Sequence, residues 1–134
     1  MLREAGWYPG RSTDSKTLDE WQKVIKVKIP PPVEAVFKEF GGLEFGTIGP
    51  GLTMARTTVD INPLHARWDS PVIQRLAKAA GVEALYPLGI FGDGDGLILM
   101  DSFGSVYVDY DMDSPAGRSF DEAIIKLLLG IKWS

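Results

Sequence analysis

The stretch FGDGDGLILMDSFGSVYVDYD, residues 91–111, decides the fold because short apolar runs alternate in it with turn-forming residues. Glycine takes positive φ at no steric cost and aspartate tolerates it, so the GDGDG and SFG segments favour tight reversals. The apolar runs at 97–101 and 105–110, with an earlier run at 84–91, predict three successive strands. Such short turns can join only antiparallel strands.

Helical signals flank these strands. Apolar residues recur at helical spacing over 15–26, and a second helix is predicted between PPP at 30–32 and GG at 41–42. Ser70 and Gly81 are typical of the two ends of a third helix, and Ser119 and Gly130 of a fourth. The predicted fold is therefore α+β.

The region between the second and third helices is rich in glycine, threonine and β-branched residues over 43–62. This composition predicts two strands around a turn at Gly49–Gly51. We expect one domain spanning residues 1–134, with a mainly antiparallel sheet of five to six strands packed with four helices.

The charge distribution is uneven. The net charge is −4, but residues 79–117 contain seven acidic residues and no Lys or Arg. Phosphates are bound by Lys and Arg, so this stretch disfavours nucleic acid and favours a basic protein partner. The chain has no Cys, no apolar run long enough for a membrane span, and no apolar block near residue 1. We therefore expect a cytoplasmic protein without a membrane partner.

The acidic turn at 92–96 has two interpretations, a metal loop and a tight reversal. A calcium loop of the EF-hand type needs oxygen ligands at alternating positions and ends in a bidentate Glu. Leu97 and Leu99 occupy positions that should be polar. The turn interpretation is favoured, and no metal or cofactor is expected.

Alternation along the run at 105–110 places Val106 and Val108 on one face and Tyr107 and Asp109 on the other. We expect the apolar face in the core and the acids in solvent. Solvated carboxylates on a strand are more common than a catalytic pair, which needs a pocket to raise one pKa.

Other catalytic signals are weak. His65 is the single histidine, and no G-x-S-x-G or H-E-x-x-H motif accompanies it. GTIGPG at 46–51 has glycines but no Lys, and no helix is predicted after it, so the phosphate-loop interpretation fails. A non-enzymatic protein is predicted.

Six motifs occur in a fixed order along the chain: AGWYPGR, AVFKEFGGL, DINPLHA, LYPLG, FGSVYV and FDEAIIKLLLG. In this order and at these spacings they resemble the SUKH superfamily of bacterial immunity proteins, most closely its third subgroup. The similarity runs from about Ala5 to Gly130. The resemblance implies an α+β domain that binds and neutralises a cognate polymorphic toxin, usually encoded beside it. Many such toxins are nucleases or deaminases.

The predicted mechanism is occlusion, in which an acidic face covers the basic substrate surface of the toxin. The candidate partner-binding residues are Asp93, Asp95, Asp101, Tyr107, Asp109, Asp111 and Asp113. Two alternatives stay open at this point. One is a regulatory or scaffold module that binds a protein unrelated to a toxin, and the other is a metal-dependent enzyme that uses the acidic turns.

Overall fold

The computed structural model describes residues 8, 10–25, 28–46, 50–52, 58–65, 70–92, 96–109, 112 and 114–131. The helices are α1 (Ser15–Ile25), α2 (Pro31–Phe40), α3 (Ser70–Ala80) and α4 (Phe120–Leu129). The strands are β1 (Glu44–Phe45), β2 (Val59–Asp60), β3 (Leu85–Phe91), β4 (Gly96–Asp101) and β5 (Val106–Val108). The predicted α+β class and the four predicted helices are confirmed.

The described strands form one sheet in the order β1-β2-β3-β4-β5, and every neighbouring pair is antiparallel. Only β3 and β4 are longer than three residues, and their pairing runs from Leu85 opposite Asp101 to Phe91 opposite Gly96. The register shifts between Pro87 and Gly89, where proline has no N–H for the ladder. The spatial order of the strands therefore equals their chain order, as is usual for consecutive strands of a sheet.

Both faces of the sheet are buried, which corrects one expectation. Val106 and Val108 belong to a core formed with α1, α2 and α4. Tyr107 lies on the opposite face, in a second core with Leu99 of β4 and Ala77 of α3. The expectation that this second face of β5 stands in solvent is wrong, because α3 covers it. The fold thus has three layers, with the sheet in the middle.

The end of α2 is held by the segment that precedes α1. The Arg11 guanidinium donates to the carbonyl oxygens of Glu39 at 2.7 Å and Gly41 at 2.9 Å. The Thr13 hydroxyl donates to the Phe37 carbonyl at 2.6 Å. The last carbonyls of a helix have no partner within it, and a cation near them also complements the helix dipole. These contacts tie the beginning of the chain to α2.

The two glycines after α2 have different roles. Gly42 takes φ +82°, the left-handed conformation that the sequence predicted for the helix exit. Gly41 has φ −57°, but a Cβ there would meet the Phe37 carbonyl and the Trp21 ring. Gly41 is therefore required by the close approach of α1, and Gly42 by backbone conformation.

The ends of α4 follow the sequence closely. The Ser119 hydroxyl accepts a hydrogen bond from the Glu122 N–H at 3.2 Å, and Gly130 is left-handed at φ +66°. The Glu122 carboxylate accepts from the Arg118 N–H at 3.3 Å, one residue before the position that a capping box predicts. Phe40 and Phe120 pack with ring centroids 4.6 Å apart, which fixes α4 against α2.

Candidate partner-binding surface

Asp101, one of the predicted binding residues, is buried rather than exposed. Its side chain lies at the end of β4 with a relative exposure of 4%. Its carboxylate accepts hydrogen bonds from the backbone N–H groups of Phe103 and Ser105, each at 2.9 Å. Aspartate at the first position of a turn commonly binds backbone in this way. Asp101 therefore shapes the β4–β5 turn and presents no charge to a partner.

Tyr107 is also buried, with a relative exposure of 6%. It packs among Leu97, Leu99 and Ala77 between the sheet and α3. Burial raises the pKa of the Tyr107 phenol above its ordinary value, and the Asp101 carboxylate raises it further. Tyr107 is one of the predicted partner-binding residues, and α3 covers its ring, which leaves little of it for a partner to contact.

Asp109 is the one acidic residue among the predicted binding residues that is both described and at the surface. It is half-buried, directly after β5, and its backbone N–H donates to the Leu97 carbonyl at 3.1 Å. Its carboxylate and the Phe91 ring lie where a Cβ of Gly96 would be. Asp109 thus lies at the end of the sheet where β4 begins. The remaining predicted binding residues, Asp93, Asp95, Asp111 and Asp113, lie outside the described residues.

The most exposed large apolar side chain among the described residues is Phe103, with a relative exposure of 90%. It lies in the β4–β5 turn, at the opposite end of β4 from Asp109. Gly104 follows it with φ +96° and packs near Pro32 of α2. The Phe103 ring is not buried when the chain folds, so it is available to contact a partner protein.

A groove of about 310 Å³ lies beside Phe103. Its walls come from α2 along its length, from the first turn of α4 and from the β4–β5 turn. Its apolar lining includes Pro32, Ala35 and Phe120. Its charged lining comprises Glu39, Arg118 and Asp121. The surface therefore combines an apolar knob with a mixed polar border, the arrangement found at protein interfaces.

The charges at the start of α4 are partly compensated. The Lys126 ammonium binds the Glu122 carboxylate at 3.2 Å. The pKa of Glu122 is lowered, first by the hydrogen bond from Lys126 and then by that from the Arg118 backbone, with the Arg118 charge contributing last. The exposed Asp121 shows no such pairing in the described part of the chain, so one carboxylate at the groove faces solvent.

His65 forms a pair with Asp60, whose Oδ2 lies 2.6 Å from the His65 Nδ1. Asp60 is at the end of β2, and His65 is exposed in the turn that follows. Hence the histidine binds a carboxylate at the surface. Within the described ranges, no group of three or more His, Asp or Glu side chains is placed to hold a metal ion.

Phe103 is absent from the predicted binding residues, because the SFG segment by itself indicates only a turn. The available signal was an aromatic residue between two predicted strands, at a position that neither strand buries. A turn residue of this size has to be covered by another element or remain in solvent. The structure shows that it remains in solvent.

Comparison with known proteins supports the family resemblance. The family profile described as SUKH-3 immunity protein matches residues 1–130. No curated protein and no solved structure matches the chain. None of the helices in the described ranges has the length and apolar character that crossing a membrane requires.

Proposed function

Because the chain belongs to the SUKH-3 immunity protein family, we propose that it binds a cognate toxin and neutralises it by occlusion, without catalysis. The family match over residues 1–130 is the observation that carries this proposal. Binding to a cognate toxin is what the family implies. The kind of toxin and the occlusion mechanism are our inference.

Charge supports a basic partner. Residues 79–117 carry seven acids and no Lys or Arg, and the chain has a net charge of −4. A toxin that acts on nucleic acid, such as a nuclease or a deaminase, needs a basic surface for phosphate. An acidic immunity protein would be attracted to that surface and would block it.

Asp101 and Tyr107 are buried, so we leave them out of the proposed toxin-facing residues. The remaining five form what we call the acidic set: Asp93, Asp95, Asp109, Asp111 and Asp113. Asp109 places one member at the end of the sheet where β4 begins. Exposed charges at an interface border act mainly on association rate, and a buried apolar contact supplies most of the affinity. The acidic set is therefore expected to steer the toxin rather than to hold it.

The proposal is tested by mixing the chain with its cognate toxin domain, with the affinity measured by calorimetry and the association rate by stopped-flow fluorescence. Replacing Asp93, Asp95, Asp109 and Asp111 with Asn should slow association at low salt, and the difference should shrink as salt is added. A control with the same charge change replaces four exposed acids elsewhere: Asp19, Glu20, Glu44 and Glu83.

The two variants separate a local effect from a global one. Slower association of the first variant alone supports the acidic set as the toxin-facing surface. Equal slowing of both variants would mean that only net charge matters, and unchanged association of both would exclude electrostatic steering. The absence of binding by the parent chain would contradict the proposed function itself and favour a scaffold role.

A further inference from the structure

We propose that Phe103 is the apolar anchor of this chain, and that it inserts into a depression on the cognate toxin bordered by basic side chains. This assignment rests on the proposed function and specifies its interface. Phe103 is distinct from Asp109, the described acid, since the two residues lie at opposite ends of β4. A strand of six residues spans roughly 20 Å, so one toxin surface can contact both ends.

The β4–β5 turn is organised before any partner arrives. The buried Asp101 carboxylate binds the N–H of Phe103 itself and that of Ser105. The Gly104 N–H also donates to the Asp101 carbonyl at 3.3 Å, and the Asp101 N–H donates to the Ser105 carbonyl at 3.0 Å. Four backbone contacts thus hold a turn of five residues. A backbone held in this way loses little conformational entropy when the turn binds a partner.

The geometry favours a macromolecular partner with a concave surface. Phe103 protrudes with a relative exposure of 90%, so its ring contributes little to a cavity for a small ligand. The adjacent groove is lined by Pro32, Ala35 and Phe120, so a partner that covers the ring can also contact apolar side chains beside it. Buried aromatic anchors surrounded by weaker contacts are the usual source of affinity in protein complexes.

The charges beside Phe103 favour a basic border on that partner. The turn lies within the 79–117 stretch, which contains no Lys or Arg. The charged lining of the groove has two carboxylates, Glu39 and the exposed Asp121, against one cation, Arg118. Lysine or arginine side chains around the toxin depression would pair with Asp121.

The test measures toxin affinity for the full chain and for Phe103→Ala. Since Phe103 contacts solvent, its removal should leave the melting temperature unchanged and weaken binding at least about 30-fold. Val24→Ala is the matched control, because Val24 is an exposed apolar residue on α1 with a relative exposure of 63%. It should bind as the parent does.

Two further pairs of variants examine the border and the turn. Asp121→Asn should slow association at low salt, whereas Glu20→Gln on α1 should have no local effect. Asp101→Ala should weaken binding by releasing the turn, and Asp101→Asn, which keeps an acceptor oxygen, should restore most of the affinity. Asp101 is a positioning residue in this scheme.

The outcomes distinguish the two proposals. Binding by the parent chain with equal affinity for Phe103→Ala would overturn the anchor and leave the proposed function standing. Equal loss in Phe103→Ala and Val24→Ala would likewise overturn it, since the effect would not be local. No binding by the parent chain would overturn both the function and the anchor.

Discussion

The replacement of Asp101 by Ala tests how the β4–β5 turn is built. The structure gives the carboxylate two backbone hydrogen bonds of 2.9 Å, to the N–H groups of Phe103 and Ser105, and a relative exposure of 4%. Both N–H groups donate to the same oxygen, Oδ1, so alanine removes their shared acceptor and leaves them facing a partly buried space. The unfolded chain is unaffected, because its N–H groups bind water in either variant.

The magnitude follows from these contacts. A hydrogen bond to a charged group contributes about 1.5–3 kcal/mol to stability. Both bonds are only partly buried, so water regains some of the lost interaction, and we expect a total loss of about 2–3 kcal/mol. For a chain of this length, 1 kcal/mol corresponds to about 4 °C, so the melting temperature should fall by about 8–12 °C.

Asp101→Asn provides the control for shape. Its side-chain oxygen can accept the same bonds, but bonds to a neutral acceptor are about half as strong, so about 1 kcal/mol should be lost. Urea unfolding followed by circular dichroism gives the free energies of unfolding. An Asp101→Ala variant within about 0.5 kcal/mol of the parent would refute the reasoning, since ordinary surface changes fall in that range.

Two other predictions concern packing and pH. Gly89→Ala should lower the free energy of unfolding by about 2 kcal/mol or more, because the added Cβ would overlap the backbone of Asp60. An unchanged urea midpoint would contradict the close approach of the Gly89 and Asp60 backbones. Because the pKa of Tyr107 is raised in the folded chain, the unfolded chain loses the phenol proton at a lower pH than the folded chain does. The stability that the neutral Tyr107 contributes is therefore fully present below the ordinary tyrosine pKa, and it is lost as pH rises through the folded-state pKa. Between about pH 9 and 11 the free energy of unfolding should therefore decrease more steeply for the parent than for Tyr107→Phe, and equal slopes would mean that the phenol is not desolvated.

The elements that local rules determine were predictable. The Ser119 cap, the left-handed Gly130 and the proline start of α2 depend on residues within one helical turn, so the sequence contains all the information needed. The strands at 85–91 and 96–101 were equally accessible, since the intervening GDGDG segment favours a reversal.

The burial of the second sheet face was not predictable from β5 alone. Alternation separates Tyr107 from Val108, but it cannot say whether a helix lies over the tyrosine face. That depends on where α3 packs, and α3 lies far from β5 in the chain. Leu97 and Leu99, apolar on the same face, were the available evidence that this face is covered too.

The candidate site was predicted only in part for a related reason. Charge pattern identified the acidic stretch, but it could not separate a carboxylate that binds its own turn, as Asp101 does, from one that faces solvent. Phe103 in the same turn is exposed, and whether an apolar turn residue is exposed depends on whether another element packs over it. That information is tertiary and has no local sequence signature.

The most direct test of the central claim is inhibition of the toxin itself. The activity of the cognate toxin domain is measured while purified chain, either the parent or Phe103→Ala, is added. The account predicts that the parent chain abolishes toxin activity in a saturable manner and that Phe103→Ala requires a much higher concentration. Full toxin activity in the presence of excess parent chain would contradict it.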